Sequence, residues 1–133
     1  MNEIQPYMDR IVKELVEAMS KVRKLNTNAK ISKSVEFITK NYKKDITLED
    51  VAKAVSLSSF YFSKLFKQET GENFIEYLTR FRMTIAETLL KDKNSIVKDV
   101  SFNVGYNDPN YFSKLFKKYY GVSPSEYKES VRF

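Results

Sequence analysis

The chain has 133 residues, 42% of them apolar and 14% aromatic, enough to build a buried core as one domain or two very small ones. Lysine and arginine outnumber aspartate and glutamate by 23 to 17, and the formal charge of +6 points to an anionic partner. With neither cysteine nor histidine, zinc fingers, thiol catalysis, histidine triads and disulfide frameworks are excluded, and no apolar run reaches the roughly 20 residues that span a bilayer. The N-terminus lacks the basic-then-apolar layout of a signal peptide, so the expected location is the cytoplasm, with no membrane partner.

From the N-terminus, Ile4, Met8, Ile11, Leu15, Ala18, Val22 and Leu25 advance by alternating steps of four and three, the spacing of a heptad seam. Pro6 falls in the first turn, where a missing N–H is harmless. Two readings stay open: a coiled coil forming a homodimer through residues 4–25, or an amphipathic helix packed on its own domain. Val12, Val16 and Met19 widen the stripe beyond a strict seam, which leaves the two readings evenly matched. Asn26-Thr27-Asn28-Ala29-Lys30 breaks the pattern, which divides the chain into a connecting helix, residues 1–29, and a domain, residues 30–133.

A second helix is expected from about Lys30 to Tyr42, with Ile31, Val35 and Ile38 on one face. Thr47 and Asp50 form a capping box opening a short helix from Leu48 to about Val55, which turns Leu48, Val51, Ala52 and Val55 inward. Ala52 is small enough for a following helix to cross closely, Leu57 plugs the turn, and Ser58 caps a helix from Phe60 to Glu69. Helix, tight turn and helix make a first helix-turn-helix, about residues 47–70. A further capping box, Asn73 and Glu76, opens a long helix from Phe74 to about Lys91, with Phe74, Leu78, Phe81, Ile85, Leu89 and Leu90 as its buried stripe. At roughly 27 Å it can serve both as a core helix and as a spacer that, once the widths of the two units are added, holds them apart by a distance comparable to that between successive major grooves.

The second half repeats the first. Tyr61-Phe62-Ser63-Lys64-Leu65-Phe66-Lys67 returns as Tyr111-Phe112-Ser113-Lys114-Leu115-Phe116-Lys117, and Gly71 and Gly121 follow each copy at the same offset. Ser95 is expected to cap a helix from Ile96 to Asn103, in which Val100, Ser101, Val104 and Tyr106 answer to Val51, Ala52, Val55 and Leu57. The second turn is one residue longer. Gly105 sits where positive φ is tolerated, and Asp108-Pro109 starts a helix from Asn110 to Tyr119. This second helix-turn-helix covers about residues 95–120. A capping box at Ser123-Pro124-Ser125-Glu126 begins a terminal helix, about residues 124–130, that covers the core. No strand is expected, so the fold class is all-α.

Within each heptapeptide, Phe62, Leu65, Phe66 and Phe112, Leu115, Phe116 form an apolar stripe, while Phe60, Ser63, Lys64, Lys67 and Asn110, Ser113, Lys114, Lys117 share the other face. The second face is polar and basic, as a DNA-reading helix requires.

With that order of elements the chain resembles the DNA-binding domain of AraC/XylS-family transcription regulators over about Ile31 to Tyr127. The residues that carry the resemblance are Val51-Ala52, Val55 to Ser58 and Tyr61 to Lys67 in the first unit, and Val104 to Lys117 with Gly121 to Tyr127 in the second. Phe74 to Leu78, Arg82, Ala86, Leu89 and Leu90 look like the family's connecting helix. The resemblance implies seven helices, readout of double-stranded DNA through two adjacent major-groove segments, and recruitment of RNA polymerase in a bacterial cell. It implies base contacts from Ser59, Phe60, Ser63, Lys64, Asn110, Ser113 and Lys114.

The chemistry agrees: asparagine pairs with adenine, lysine reaches guanine, and an exposed Phe60 meets a thymine methyl. Lys64 and Lys114 stand where relatives often carry arginine, so guanine discrimination should be softer there. Lys67, Arg82, Lys117 and Lys118 suit phosphates, which set register without reading sequence. The heptad helix looks like the connection by which response-regulator members join their receiver domain, implying that these residues are the C-terminal part of a longer protein. A competing reading is an all-helical protein-interaction module with weak, non-specific DNA binding. No residue set supports catalysis, and no cofactor or metal site is expected.

Overall fold

The computed structural model describes residues 9–18 and 28–131, and all regular structure among them is helical. Residues 9–18 form α1, followed by α2 (Ala29–Asn41), α3 (Leu48–Ala54), α4 (Ser59–Thr70), α5 (Phe74–Leu90), α6 (Val97–Asn103), α7 (Pro109–Tyr120) and α8 (Pro124–Ser130). Seven helices thus follow residue 28, the number the family resemblance implies. In α1 Val12 is buried, Ile11, Leu15 and Val16 are half-buried and Ala18 is exposed. Ile4, Met8, Met19, Val22 and Leu25 of the expected seam lie outside the described residues.

The chain divides into two compact units, and α5 passes from one to the other at Arg80 and Phe81. In the first unit α2 starts at Asn28, whose side-chain oxygen accepts from Lys30 N at 2.9 Å. Two longer reaches fix that start. Asn28 N donates to Glu69 Oε1 at 3.2 Å, and Lys30 Nζ donates to the Val55 carbonyl at 3.0 Å. The Thr47–Asp50 capping box forms in both directions, at 2.9 and 3.1 Å, and Ser58 accepts from Tyr61 N. Ala52 is 1% exposed, and its carbonyl accepts from Leu57 N at 3.0 Å, closing the turn between α3 and α4. Beneath α4, Phe62 and Phe66 lie 5.3 Å apart, and Phe66 meets the Tyr77 ring edge-on at 5.2 Å. The Asn73–Glu76 box opens α5, and Arg80 forks onto Glu72 at 2.8 to 3.0 Å.

The second unit repeats the scheme with different local chemistry. Tyr106 N donates to the Ser101 carbonyl at 2.9 Å, the counterpart of the Leu57–Ala52 bond, and the buried Ser101 hydroxyl returns a bond to the Tyr106 carbonyl. The residue before this bond has positive φ in both copies: Ser56 at 59° and Gly105 at 104°. Serine there costs about 1 kcal/mol that glycine avoids. Asp108 caps α7 and Pro109 is its first residue, while α4 and α7 both end on left-handed glycines, Gly71 and Gly121. One cap differs from expectation. Ser95 does not cap α6: the N-cap is Ile96, without a side-chain bond, and the Ser95 hydroxyl is buried with no partner among the described residues. A turn begun by Asp92, which accepts from Asn94 N and Ser95 N, draws Ser95 inward before the helix starts.

Phe116 is the hub of this core, its ring 6.0 Å from Phe112, 4.6 Å from Tyr120 and 5.6 Å from Tyr127. Tyr120 donates to the Met83 carbonyl and Tyr127 to Glu87 Oε2 at 3.0 Å, which ties α7 and α8 to α5. Burial, then the Glu87 carboxylate, push the Tyr127 phenol from its ordinary 10 to about 12. Because the folded pKa is raised, Tyr127 stabilises the fold fully below pH 10, and this contribution disappears as pH rises through 12. Replacing Phe116 by alanine should cost about 3 to 5 kcal/mol in urea unfolding. In the same assay Tyr127→Phe should flatten the loss of stability between pH 10 and 12, and an unchanged alkaline slope would show that Tyr127 does not govern it.

Candidate nucleic-acid interface

α4 and α7 are the second helices of their helix-turn-helix units, each with one face in the core and one in solvent. Phe62, Phe66, Phe112 and Phe116 are fully buried. Residues at i, i+3, i+4 and i+7 share a helix face, and here the face away from the phenylalanines is Phe60, Ser63, Lys64, Lys67 in α4 and Asn110, Ser113, Lys114, Lys117 in α7. Lys64, Lys67, Asn110, Lys114, Lys117 and Lys118 are exposed, and Ser59, Ser63 and Ser113 are half-buried at the rim of the core. Each unit therefore gathers its expected base-reading residues on one open surface. Leu65 and Leu115, expected in the core stripe, are only half-buried, at its margin.

Phe60 is 81% exposed, in the first turn of α4. Its ring is left in water, open to an apolar contact. The electrostatics differ between the helices. α7 carries Lys114, Lys117 and Lys118 and no acidic residue, whereas Glu69 of α4 is occupied by Asn28 N.

Arg82 departs from expectation. It is 8% exposed, and its guanidinium lies over the Tyr106 ring, 5.0 Å from the centroid. A cation stacked there packs the core of the second unit and is not presented to a phosphate. Tyr61 and Tyr111, not among the expected contact residues, are 51% and 54% exposed beside these polar faces. The signal was present in the repeat: a tyrosine three residues before each lysine, on the same side of the helix. Among the described residues no group of acidic, histidine or cysteine side chains could hold a metal ion, and no helix is long and apolar enough to cross a membrane.

A family described as a helix-turn-helix domain matches residues 51–130, the span from α3 through α8. The lactose operon transcription activator of Staphylococcus xylosus is 41% identical over 128 residues, which are 94% of this chain and 46% of that protein. The chain thus spans about half the length of this curated relative. Among solved structures, the C-terminal domain of AraT, a response regulator from Geobacillus stearothermophilus, has a TM-score of 0.76 and 36% identity, covering 80% of this chain and 88% of that one. The DNA-binding domain of AdpA, solved in complex with a target DNA, shares the fold at a TM-score of 0.73 and 21% identity, over 77% and 93% of the two chains.

The division between open and buried faces has a direct test. Phe60→Ala should change stability by no more than about 0.5 kcal/mol, whereas Phe62→Ala, two positions away, should cost about 3 to 5 kcal/mol. Comparable losses in thermal unfolding would mean that Phe60 is not a surface residue.

Proposed function

The chain belongs to the AraC/XylS family of helix-turn-helix transcription regulators, as its DNA-binding domain, and from that premise we propose that α4 and α7 enter adjacent major-groove segments of double-stranded DNA and read their sequence. The observation that carries this reading is the open polar and basic face repeated on two capped helices. On it, Ser63 and Lys64 recur as Ser113 and Lys114, while Phe60 is exchanged for Asn110. Identical residues supply the same docking chemistry to both units. The exchanged ones supply the difference in sequence read.

In this proposal Asn110 pairs with adenine through both ends of its amide, and Lys64 and Lys114 reach guanine O6 and N7. Ser59, Ser63 and Ser113 pair with neighbouring base edges, and Phe60 packs on a thymine methyl. Lys67, Lys117 and Lys118 neutralise phosphates and fix register. Arg82 supports the core and takes no phosphate. The exposed lysines and the open helix faces support these assignments. As parts of the same proposal, residues 1–29 connect the domain residues 30–133 to the rest of a longer protein and pair two copies through 4–25. The bound module works in the cytoplasm and recruits RNA polymerase.

Two substitutions separate reading from gripping. Asn110→Ala should cost roughly 1 to 3 kcal/mol on the preferred site and relax the preference at one base position. Lys117→Ala should weaken all sequences alike and reduce the slope of log K against log salt by about 0.9, one phosphate contact. Binding titrations at several salt concentrations check both. Uniform loss from Asn110→Ala would show that α7 does not read bases, and wild-type binding indifferent to sequence would favour a protein-interaction module.

A further inference from the structure

Resting on the DNA-reading role proposed above, we infer that Tyr111 donates a hydrogen bond from its phenol to a DNA phosphate, and that Tyr106 and Arg82 hold its ring in place. Tyr111 is one residue beyond Asn110, and at i, i+3 and i+7 it shares the flank of the α7 reading face with Lys114 and Lys118. That flank borders the base-reading residues, where the backbone of an engaged groove would pass. The ring is 54% exposed, and no hydrogen bond engages its hydroxyl among the described residues. One edge is nevertheless fixed: the Tyr106 ring meets it at 6.0 Å and 62°. Tyr106 is itself 9% exposed, and the Arg82 guanidinium lies over its ring, 5.0 Å from the centroid.

The three side chains make a chain of contacts from the buried Arg82 of α5, through Tyr106, to the exposed Tyr111. A tyrosine held this way presents its hydroxyl with little rotamer freedom left to lose, which is what makes a single neutral donor effective on a phosphate. These contacts also give Arg82 a positioning role, acting on DNA only through the two rings. The first unit lacks this arrangement. Tyr61 occupies the equivalent position with 51% exposure, but the residue answering to Tyr106 is Leu57, which offers no ring. The second unit should therefore hold the backbone more rigidly than the first.

The test uses the 133-residue chain, a duplex selected by it from random DNA, and a random duplex of equal length. Tyr111→Phe keeps the ring and its packing, so thermal unfolding should be unchanged, while affinity should fall about 5- to 10-fold on both duplexes. The salt slope should stay at the wild-type value, because a neutral phenol displaces no counterion, unlike a lysine. Tyr106→Leu, which installs the first unit's residue, should weaken binding about 2- to 5-fold and have no further effect in the Tyr111→Phe background. Unchanged affinity of Tyr111→Phe, with the wild type still binding its selected duplex, would overturn this inference alone. A loss confined to the selected duplex would make Tyr111 a base reader and overturn the phosphate assignment. Additive losses from Tyr106→Leu and Tyr111→Phe would remove the propping role, and a wild type that selects no duplex would remove the reading beneath all of it.

Discussion

Everything this molecule presents to a partner depends on one packing constraint: the pair of phenylalanines under the second helix of each unit. Phe62 with Phe66, and Phe112 with Phe116, admit no solvent, and burying each ring contributes roughly 1.5 to 3 kcal/mol. Because they sit four residues apart, they fix not only that α4 and α7 are helices but how each is rotated about its own axis. The opposite face is then turned outward: Phe60 and Lys64 in one helix and Asn110 and Lys114 in the other stand in solvent, with Ser63 and Ser113 at the rim. Small residues beneath the crossing, Ala52 and Ser101, let the short helix approach closely enough for that grip to work.

The two units solve the same problem with different materials. In the first, the turn is closed over Leu57, Ser56 bears an unfavourable positive φ, and the start of α2 is tied to Val55 and Glu69 by hydrogen bonds. In the second, Gly105 removes the backbone strain, Tyr106 replaces leucine, and aromatic contacts around Phe116 join α7 to α8. Tyr120 and Tyr127 then anchor both helices to α5 by their hydroxyls. The repeated helix-turn-helix thus keeps its heptapeptide while its supports differ.

Much of this was legible in the residues themselves, because caps and helical periodicity are local chemistry. Thr47, Ser58, Asn73, Asp108 and Ser123 each accept the backbone hydrogen bond expected of them, and α4 and α7 differ from their expected spans by one residue at each end. The misses came from tertiary structure. Ser95 has the right chemistry for a cap, but a turn begun at Asp92 buries it one residue too early. Arg82 reads as a surface cation on a helix, and only the fold brings it over Tyr106, a residue 24 positions away in the chain. Of the heptad seam, Ile11, Leu15 and Ala18 fall among the described residues, yet it is Val12, from the flank that widens the stripe, that is buried.

In the proposed function, two helices with like grips and unlike reading residues interrogate one stretch of DNA. Selection of bound duplexes from random sequence by the 133-residue chain tests it most directly. The expected result is enrichment of sites with two specified segments about one helical turn, roughly 10 base pairs, apart, unlike each other in sequence. Enrichment of a single short segment, or of none, would contradict it.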